Sequence, residues 1–445
     1  MKTILVFGAG KSATVLIDYL KTVCEQKQWQ LIVADANLQQ AQSKIGSSAN
    51  AKAVELNVTA EDERRMLIED ANIVISLLPP HLHILVAKDC VAISRSLLTA
   101  SYVDKDIKTL EAEIKSKELL FLCEMGLDPG IDHMSAMQLI NTIKEKGGSI
   151  TSFKSHCGGL VAPESDTNPW HYKISWNPRN IVMAGSAGAV YKQNNQIIQK
   201  PYNNVFEDCE ELQIAALPPL AWYPNRDSLS YISLYKLEEA TTFIRTTLRY
   251  ADFCKGWDVI VDLGLTDEHD SEIIGRCKTF ADWFEIKQFN VEQRDISFRM
   301  YLELYTEEAS HETIMQQFDF LELNSLDALP AHAKCSADIL QHRLEQKLAL
   351  RPHDKDMIVM LHEIDYLHNE QQHSVKSSLV VFGDDNLQTA MAKTVGLPLG
   401  IAAKLILEEK LKLKGLHIPT HKEIYEPVLD ELKLNGVSFT EKHLV

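Results

Sequence analysis

Short apolar runs of strand length alternate with longer amphipathic segments over the first 126 residues, and this alternation restricts the fold most strongly. It is typical of a parallel sheet covered by helices on both faces. Six such runs match the strand number of the doubly wound α/β dinucleotide fold, whereas an α/β domain without a cofactor remains the alternative. The six predicted strands are Thr3–Phe7, Leu31–Ala34, Ala53–Val58, Asn72–Leu78, Ser96–Ala100 and Leu119–Cys123.

A glycine-rich turn follows the first predicted strand, with the sequence Gly8-Ala9-Gly10-Lys11-Ser12-Ala13. It matches the G-x-G-x-x-G/A fingerprint of dinucleotide-binding domains. Gly8 permits a sharp turn, Gly10 lets the backbone approach a pyrophosphate, and Ala13 lets the helix pack close to the strand. The start of that helix offers free N–H groups to the phosphates. The sequence therefore predicts a dinucleotide site that includes the whole turn.

The residue that ends the second predicted strand bears on the choice of cofactor. Asp35 is suited to accept hydrogen bonds from ribose hydroxyls and to repel a 2′-phosphate. Because no Arg lies beside it, we expect NAD, with NADP as the second choice. Alternatively, Asp35 only caps the following helix. Asn57, Val58, Leu77 and Leu78 end the next two strands, at the sheet edge where ligands bind, and are further candidates for cofactor contacts.

Composition and charge argue against several classes of function. The 45 Lys and Arg residues against 62 Asp and Glu give a net charge of −17, and no basic stripe is present for nucleic acid. We expect no membrane span, because no run of 18 apolar residues exists. Gly8 comes too early for a signal peptide, and the eight cysteines are dispersed, so we expect a cytoplasmic protein. Because the sequence has no C-x-x-C pair and no H-E-x-x-H motif, we expect no metal site.

The pattern changes near Gly130 and indicates further domains. Residues 150–250 hold short strand candidates and many aromatic and Pro residues, whereas residues 254–350 show helical spacing. Predicted helices there are Phe280–Ile286, His311–Phe320 and Ser336–Leu348. Two strands are predicted to follow, Met357–Tyr366 and Ser374–Phe382. After them we predict two helices, Leu387–Val395 and Ile401–Leu413, which are separated by Gly396-Leu397-Pro398.

Three dense clusters of Gly, Pro and charged residues are candidate substrate segments. They are residues 124–133, 156–165, and 223–228 with 245–250. A rigid turn in the first cluster puts Asp128 at the carboxyl edge of the predicted sheet. Each cluster also has a structural interpretation, because Asp-Pro-Gly is common in turns and Arg226 could simply pair with Asp227.

At these residues the chain resembles the glutamate-forming saccharopine dehydrogenases, also called saccharopine reductases. The resemblance covers nearly the whole chain in order, and the Gly-Leu-Asp-Pro-Gly-Ile-Asp-His run is quite specific. The matching stretches are residues 8–10, 75–79, 99–103, 124–133, 156–165, 223–228, 247–250 and 390–398.

The resemblance implies three domains and a homodimer. A Rossmann-type doubly wound parallel sheet binds the dinucleotide, an α/β domain binds substrate and dimerises, and a helical domain closes the cleft. The dinucleotide domain spans residues 1–130 and is completed by about 385–414. The α/β substrate domain consists of residues 131–253, 351–384 and 415–445, and the helical domain of residues 254–350.

The resemblance also implies a reaction in lysine metabolism: reversible NAD- or NADP-dependent oxidation of saccharopine, through an imine, to L-glutamate and L-2-aminoadipate 6-semialdehyde. The implied substrate contacts are Ser101, Tyr102, Asp128, Arg226, Thr247, Leu248 and Arg249, and Leu127 and Asp128 would also touch the nicotinamide. The chain departs from the family at two places. The Lys11-Ser12 pair is more polar than the bulky or apolar pair of the family, and Asp35-Ala36 does not suit the 2′-phosphate of NADP, which many members prefer.

Saccharopine carries three carboxylates, so an acidic protein needs a locally positive pocket to bind it. Arg226 and Arg249 suit this purpose, because a guanidinium binds carboxylate bidentately and stays charged. Asp128 is the first candidate for proton transfer, although it could equally position the substrate ammonium. Tyr102 and Cys157 are lesser catalytic candidates, and His133 or His156 could contribute instead.

Two other functions remain open. One is a polyamine synthase similar to carboxynorspermidine or homospermidine synthase, and the other is a non-catalytic dinucleotide sensor. A synthase acts on cationic substrates, whose pocket would need carboxylates, and a sensor needs no anion site. Arg226 and Arg249 speak against both alternatives.

Overall fold

The computed structural model describes residues 1–214, 216–290 and 297–444, and the chain divides into two compact units. The first unit contains Met1–Ser149 and Leu379–Thr440, and the second contains Ile150–Ser378 and the last few residues. We expected a separate helical domain over residues 254–350, but these helices share one unit with the second sheet.

Strands and helices alternate regularly only in the first unit. The strands are β1 Thr3–Phe7, β2 Gln30–Asp35, β3 Ala51–Glu55, β4 Ile73–Ser76, β5 Ser96–Thr99, β6 Leu120–Leu122, β7 Ser149–Val161, β8 Ala189–Gln193, β9 Gln196–Lys200, β10 Glu210–Leu212, β11 Leu220–Pro224, β12 Arg226–Asp227, β13 Thr242–Tyr250, β14 Asp356–His368, β15 Gln371–Phe382, β16 Gly415–His417 and β17 Thr440–Leu444. The α-helices are α1 Thr14–Lys27, α2 Leu38–Ile45, α3 Glu61–Glu69, α4 His83–Ile93, α5 Lys105–Thr109, α6 Glu111–Ser116, α7 Ile131–Glu145, α8 Pro178–Val182, α9 Ser230–Tyr235, α10 Ala251–Asp262, α11 Ser271–Ile274, α12 Phe280–Asn290, α13 Phe298–Tyr305, α14 His311–Leu321, α15 Ser336–Lys347, α16 Ala390–Leu407 and α17 Lys422–Leu434.

The first sheet has seven strands, all parallel, in the order β16-β6-β5-β4-β1-β2-β3. Strands β1 and β4 are buried along their whole length because helices cover both faces, whereas the edge strand β3 is largely half-buried. The doubly wound prediction is therefore confirmed, and all six predicted strands are present. Strand β16 is a seventh, although we assigned residues 415–445 to the second domain.

Helix α16 is continuous, although the sequence predicted a break at residues 396–398. Gly396 and Gly400 lie where α16 packs on α1, and an added Cβ would be 2.9 Å from the backbone of Leu16 and 2.6 Å from the ring of Tyr19. This close packing outweighs the hydrogen bond lost at Pro398. Among the described residues, α16 is the one helix long and apolar enough to cross a membrane, but 78% of it is buried inside the protein.

The second sheet has ten strands, and its main path runs β10-β11-β13-β7-β14-β15-β17. Strands β14 and β15 confirm the predicted pair but extend further, to a two-residue turn in which Asn369 and Glu370 both have positive φ. Helices α12, α14 and α15 match the three predicted ones and share an aromatic core with α10. This core includes Trp170, Trp257 and Trp283, each fully buried.

We expect Gly396→Ala to lower the unfolding midpoint by several degrees. Alanine normally stabilises a helix relative to glycine, but here its methyl group would overlap Leu16, at a cost of about 1–3 kcal/mol. Gly275→Ala is the matched control, since the nearest atom to its Cβ would be 3.8 Å away. Calorimetry tests this, and equal midpoints for both variants would contradict the packing argument.

Candidate dinucleotide and substrate sites

The turn after β1 accepts only glycine at its first position. Gly8 has φ +101°, and its N–H donates to the carbonyl oxygen of Ala34 at 2.9 Å. A Cβ at Gly8 would lie 2.9 Å from the carbonyl oxygen of Leu77, just after β4. The turn is therefore enclosed between the ends of β2 and β4, at the carboxyl edge of the sheet.

The second glycine of the turn faces open space. Among the described residues, and apart from Gly10 and its two chain neighbours, no heavy atom lies within 4 Å of the position that a Cβ at Gly10 would occupy. The short 3₁₀ helix Lys11–Ala13 follows and leads into α1, with Ala13 buried and Lys11 exposed. Open space beside the first N–H groups of a helix fits a pyrophosphate, so this turn has the features of a dinucleotide cradle.

The Asp35 carboxylate lies directly against this turn. Its Oδ2 accepts a hydrogen bond from the N–H of Ala9 at 2.6 Å, and its Oδ1 accepts from the N–H of Asn37 at 2.8 Å. The cap of α2 is instead the Asn37 side chain, which accepts from the N–H of Gln40 at 3.1 Å. The helix-cap interpretation of Asp35 is therefore wrong, and its negative charge lies at the edge of the cradle.

Lys44 is a cation at the same turn that the sequence analysis missed. Its ammonium donates to the carbonyl oxygen of Gly10 and to the hydroxyl of Thr14, the latter at 2.9 Å. Burial lowers the pKa of Lys44 to about 8, although the charge of Asp35 acts in the opposite direction. Lys44 belongs to α2, and no local motif links it to the turn.

The other cofactor candidates lie at strand ends or in the adjacent loop. Asn57 is exposed, and its Oδ1 accepts from the N–H of Thr59 at 3.0 Å. Val58, Leu77 and Leu78 are half-buried. All four lie just beyond the carboxyl ends of β3 and β4.

Buried polar side chains fix the loop that carries Asp128. The Glu124 carboxylate accepts from the N–H of Val103 at 3.1 Å and lies 2.8 Å from Nε2 of His133. Gly130 has φ +147°, and a Cβ there would lie 2.1 Å from the carbonyl oxygen of Gly126. This arrangement gives His133 a structural role and holds Asp128, which is half-buried, in a rigid turn.

Ser101 and Tyr102 follow β5 and lie beside this loop. Both are half-buried, and the carbonyl oxygen of Ser101 accepts from the N–H of Glu124 at 3.0 Å. The hydroxyl of Ser101 lies 2.8 Å from Nε2 of His83, a residue that the sequence analysis did not select. Leu127 is buried in the same loop, so the first unit brings four predicted site residues to one edge of its sheet.

Arg249, in the second unit, is a buried cation without an acidic partner among the described residues. Its side chain lies 5.2 Å from the ring centre of Tyr172, 6.0 Å from that of Tyr223 and 5.4 Å from that of Phe253. One guanidinium nitrogen donates to the carbonyl oxygen of Leu248 at 2.8 Å, but the buried Nε has no hydrogen-bond partner. The site therefore provides a desolvated positive charge in an aromatic cage.

Strand register decides which neighbours share a face with Arg249. Thr247 pairs directly with Cys157, and alternation puts both on the Arg249 face. The Leu248 side chain lies on the other face, fully buried, where it packs against Gly158. His156 also lies on that face, so it is separated from Arg249 by the sheet.

His156 and Arg226 have environments that differ from that of Arg249. The ring of His156 lies 2.7 Å from the Thr246 hydroxyl and 3.3 Å from the Glu363 carboxylate, and burial lowers its pKa. Arg226 is exposed on the short strand β12, with φ +50°. Over the described part of the chain, no group of three or more His, Cys, Asp or Glu residues could hold a metal ion.

Comparison with known families gives matches over both parts of the chain. Residues 4–122 match the family described as "Saccharopine dehydrogenase NADP binding domain". Residues 126–437 match the family described as "Saccharopine dehydrogenase C-terminal domain".

Individual relatives extend this result. The chain is 33% identical to an Arabidopsis thaliana alpha-aminoadipic semialdehyde synthase, over 99% of the chain and 44% of that relative. It is 32% identical to the Saccharomyces cerevisiae saccharopine dehydrogenase [NADP(+), L-glutamate-forming], over 99% of both chains. The chain thus spans about half the length of the alpha-aminoadipic semialdehyde synthases that it matches.

Solved structures agree with the family matches. An apo saccharopine dehydrogenase (L-Glu forming) from Saccharomyces cerevisiae superimposes with a TM-score of 0.89, at 30% identity and full coverage of both chains. A homospermidine synthase from Legionella pneumophila has a TM-score of 0.53 at 10% identity, over all of this chain and 91% of that one, which shows a shared fold alone. The resemblance found in the sequence is therefore confirmed, and the chain belongs to the saccharopine dehydrogenase family.

Proposed function

We propose that this protein is a glutamate-forming saccharopine dehydrogenase that uses NAD. The observation that carries the proposal is Arg249, a buried guanidinium with no acidic partner among the described residues. Isolating such a charge from water is costly unless a ligand compensates it. A carboxylate of saccharopine is the compensating group that we assign to it.

The residues of the glycine turn fit a nicotinamide dinucleotide. Gly8 sets the turn, Gly10 leaves room for the pyrophosphate, and Asp35 would accept the ribose hydroxyls. A dinucleotide held there would supply the hydride acceptor for the saccharopine carbon that becomes the aldehyde. The Asp35 charge favours NAD in this chain, although the Saccharomyces cerevisiae relative is named for NADP(+).

Hydrolysis of the substrate imine needs a group that takes a proton from water. We assign this role to Asp128, because its half-buried carboxylate lies in a loop fixed by Glu124 and Gly130. Tyr102 and Cys157 are secondary candidates. Ser101, Arg226, Thr247 and Leu248 remain proposed substrate contacts; only Leu248 has a side chain buried in packing, so its contribution would come from the backbone.

The polyamine-synthase and sensor alternatives are less well supported. A pocket for cationic polyamines would place carboxylates where this chain has Arg249. The likeness to homospermidine synthase concerns only the fold. A dinucleotide sensor would have no use for a desolvated guanidinium far along the chain from the glycine turn.

Two further proposals concern assembly and location. We propose a homodimer, as the family resemblance implies, which sedimentation of the purified chain tests directly; a monomer would contradict it. We also propose a cytoplasmic location, supported by eight cysteines that form no disulfide bond and are mostly buried. Fractionation of cells tests the location.

We expect the protein to oxidise saccharopine with NAD, which the absorbance of NADH measures. The Arg249→Met substitution should lower kcat/KM for saccharopine by roughly 10²-fold or more. The loss reflects the missing carboxylate partner. Arg179→Met is the matched control, because Arg179 has the same charge but bonds Glu268 and Asp338. Unchanged kcat/KM in Arg249→Met would contradict the assigned role.

We expect the wild-type protein to have a higher kcat/KM with NAD than with NADP. Asp35→Asn should narrow this difference by roughly tenfold, because it removes the charge that repels a 2′-phosphate. Asp62→Asn, on the exposed first turn of α3, is the charge-matched control. A wild-type preference for NADP would overturn the cofactor proposal.

We expect Asp128→Asn to lower kcat by roughly 10²–10⁴-fold, as for a lost general base. Asp106→Asn, an exposed aspartate on α5, should leave kcat unchanged. Steady-state kinetics with saccharopine separates the two possible roles of Asp128. A higher KM with normal kcat would assign it to substrate positioning instead.

A further inference from the structure

The imidazole of His83 bridges two hydroxyl groups at the carboxyl edge of the first sheet. Its Nδ1 lies 2.8 Å from the hydroxyl oxygen of Ser76, the last residue of β4. Its Nε2 lies 2.8 Å from the hydroxyl oxygen of Ser101 and 3.4 Å from that of Thr99. Both ring nitrogens therefore have a hydroxyl partner, and His83 as a whole residue is 3% exposed.

Local structure holds this bridge in place. His83 is the first residue of α4, and a short 3₁₀ helix over residues 80–82 returns the chain to the strand end. Ser76 and Thr99 are paired in register across β4 and β5. The N–H of Ser101 donates to the Thr99 hydroxyl at 3.2 Å, and its carbonyl oxygen accepts from Glu124. The Ser101 backbone is thus fixed at two atoms, and His83 fixes its hydroxyl.

The environment keeps the His83 ring neutral. Burial lowers the pKa of His83 to about 4, so at neutral pH one ring nitrogen carries a proton and the other is an acceptor. The tautomer protonated at Nε2 places this proton between the hydroxyl oxygens of Ser101 and Thr99. In that tautomer Ser76 donates to Nδ1, and Ser101 accepts from Nε2–H, so the Ser101 proton is available to another acceptor.

Building on the proposed function, we propose that His83 is a positioning residue that directs the Ser101 hydroxyl proton toward a carboxylate of saccharopine. The ring acts through Ser101 and does not itself touch the substrate. A proton-relay role fits the geometry less well, because the far end of the bridge is Ser76, which is 0% exposed.

The test compares Ser101→Ala, His83→Phe and the double variant in the full-length protein, with saccharopine and NAD. We expect each single variant to raise KM for saccharopine by roughly tenfold or more with little change in kcat, because a hydrogen bond to a carboxylate is lost. The double variant should add no further loss, since both changes remove the same contact.

Controls separate this effect from general damage. Thr394→Val removes a buried hydroxyl that donates within α16, and it should leave KM unchanged. If His83→Phe does not fold, Ser76→Ala is the substitute, because it keeps the ring and Ser101 but removes the Nδ1 partner; an intermediate rise in KM is then expected. Nitrogen-15 spectra of the ring should show a neutral imidazole protonated at Nε2.

The outcomes distinguish this inference from the proposed function. If the wild-type protein oxidises saccharopine but His83→Phe keeps a normal KM, only the positioning role is wrong. The positioning role is also wrong if the increases in KM of the two single variants multiply in the double variant. It is equally wrong if the His83 ring is protonated at both nitrogens. If the wild-type protein does not oxidise saccharopine with NAD or NADP, the proposed function fails, and the role assigned to His83 fails with it.

Discussion

The parallel pairing of the first sheet is the constraint on which the dinucleotide site depends. Because all seven strands run in one direction, their carboxyl ends meet at one edge. The glycine turn, Ser101 and the loop of Asp128 follow such ends, and Asp35 is the last residue of β2. Residues up to about 120 positions apart in the sequence thus lie at one edge of the sheet, because the parallel strands themselves bring them there. Strand β1 lies between β4 and β2, so the glycine turn that follows it lies between the ends of these two strands.

Electrostatics organises the two candidate sites differently. At the glycine turn, a carboxylate is satisfied by backbone N–H groups, and a lysine lies beside it. Around Arg249 the reverse holds, since a cation is surrounded by aromatic rings and its buried Nε has no hydrogen-bond partner in the described part of the chain. The chain has a net charge of −17, so acidic partners for arginines are abundant, as Arg179 shows with its two salt bridges. The lack of a salt bridge at Arg249 among the described residues therefore supports its assignment to a ligand carboxylate.

Sequence analysis predicted the first domain closely and the rest less well. Strand β1 has the predicted bounds, because apolar runs and a glycine turn are local signals. The break predicted at Pro398 was wrong, because glycines on one face of α16 let α1 approach closely. Lys44 and His83 were missed for a related reason: each acts on a partner 18 or more positions away, and no motif records that contact.

The doubly wound sheet, the glycine turn and the membership of the saccharopine dehydrogenase family could all be predicted from the sequence. These follow from periodicity and from contiguous motifs, which the chain carries whatever its packing. The folded protein shows in addition that Asp35 faces the turn, that Arg249 lies among aromatic rings while Arg226 is exposed, and that His83 joins two hydroxyls. Those features depend on side chains brought together across strands, where burial and register, rather than local spacing, set the chemistry.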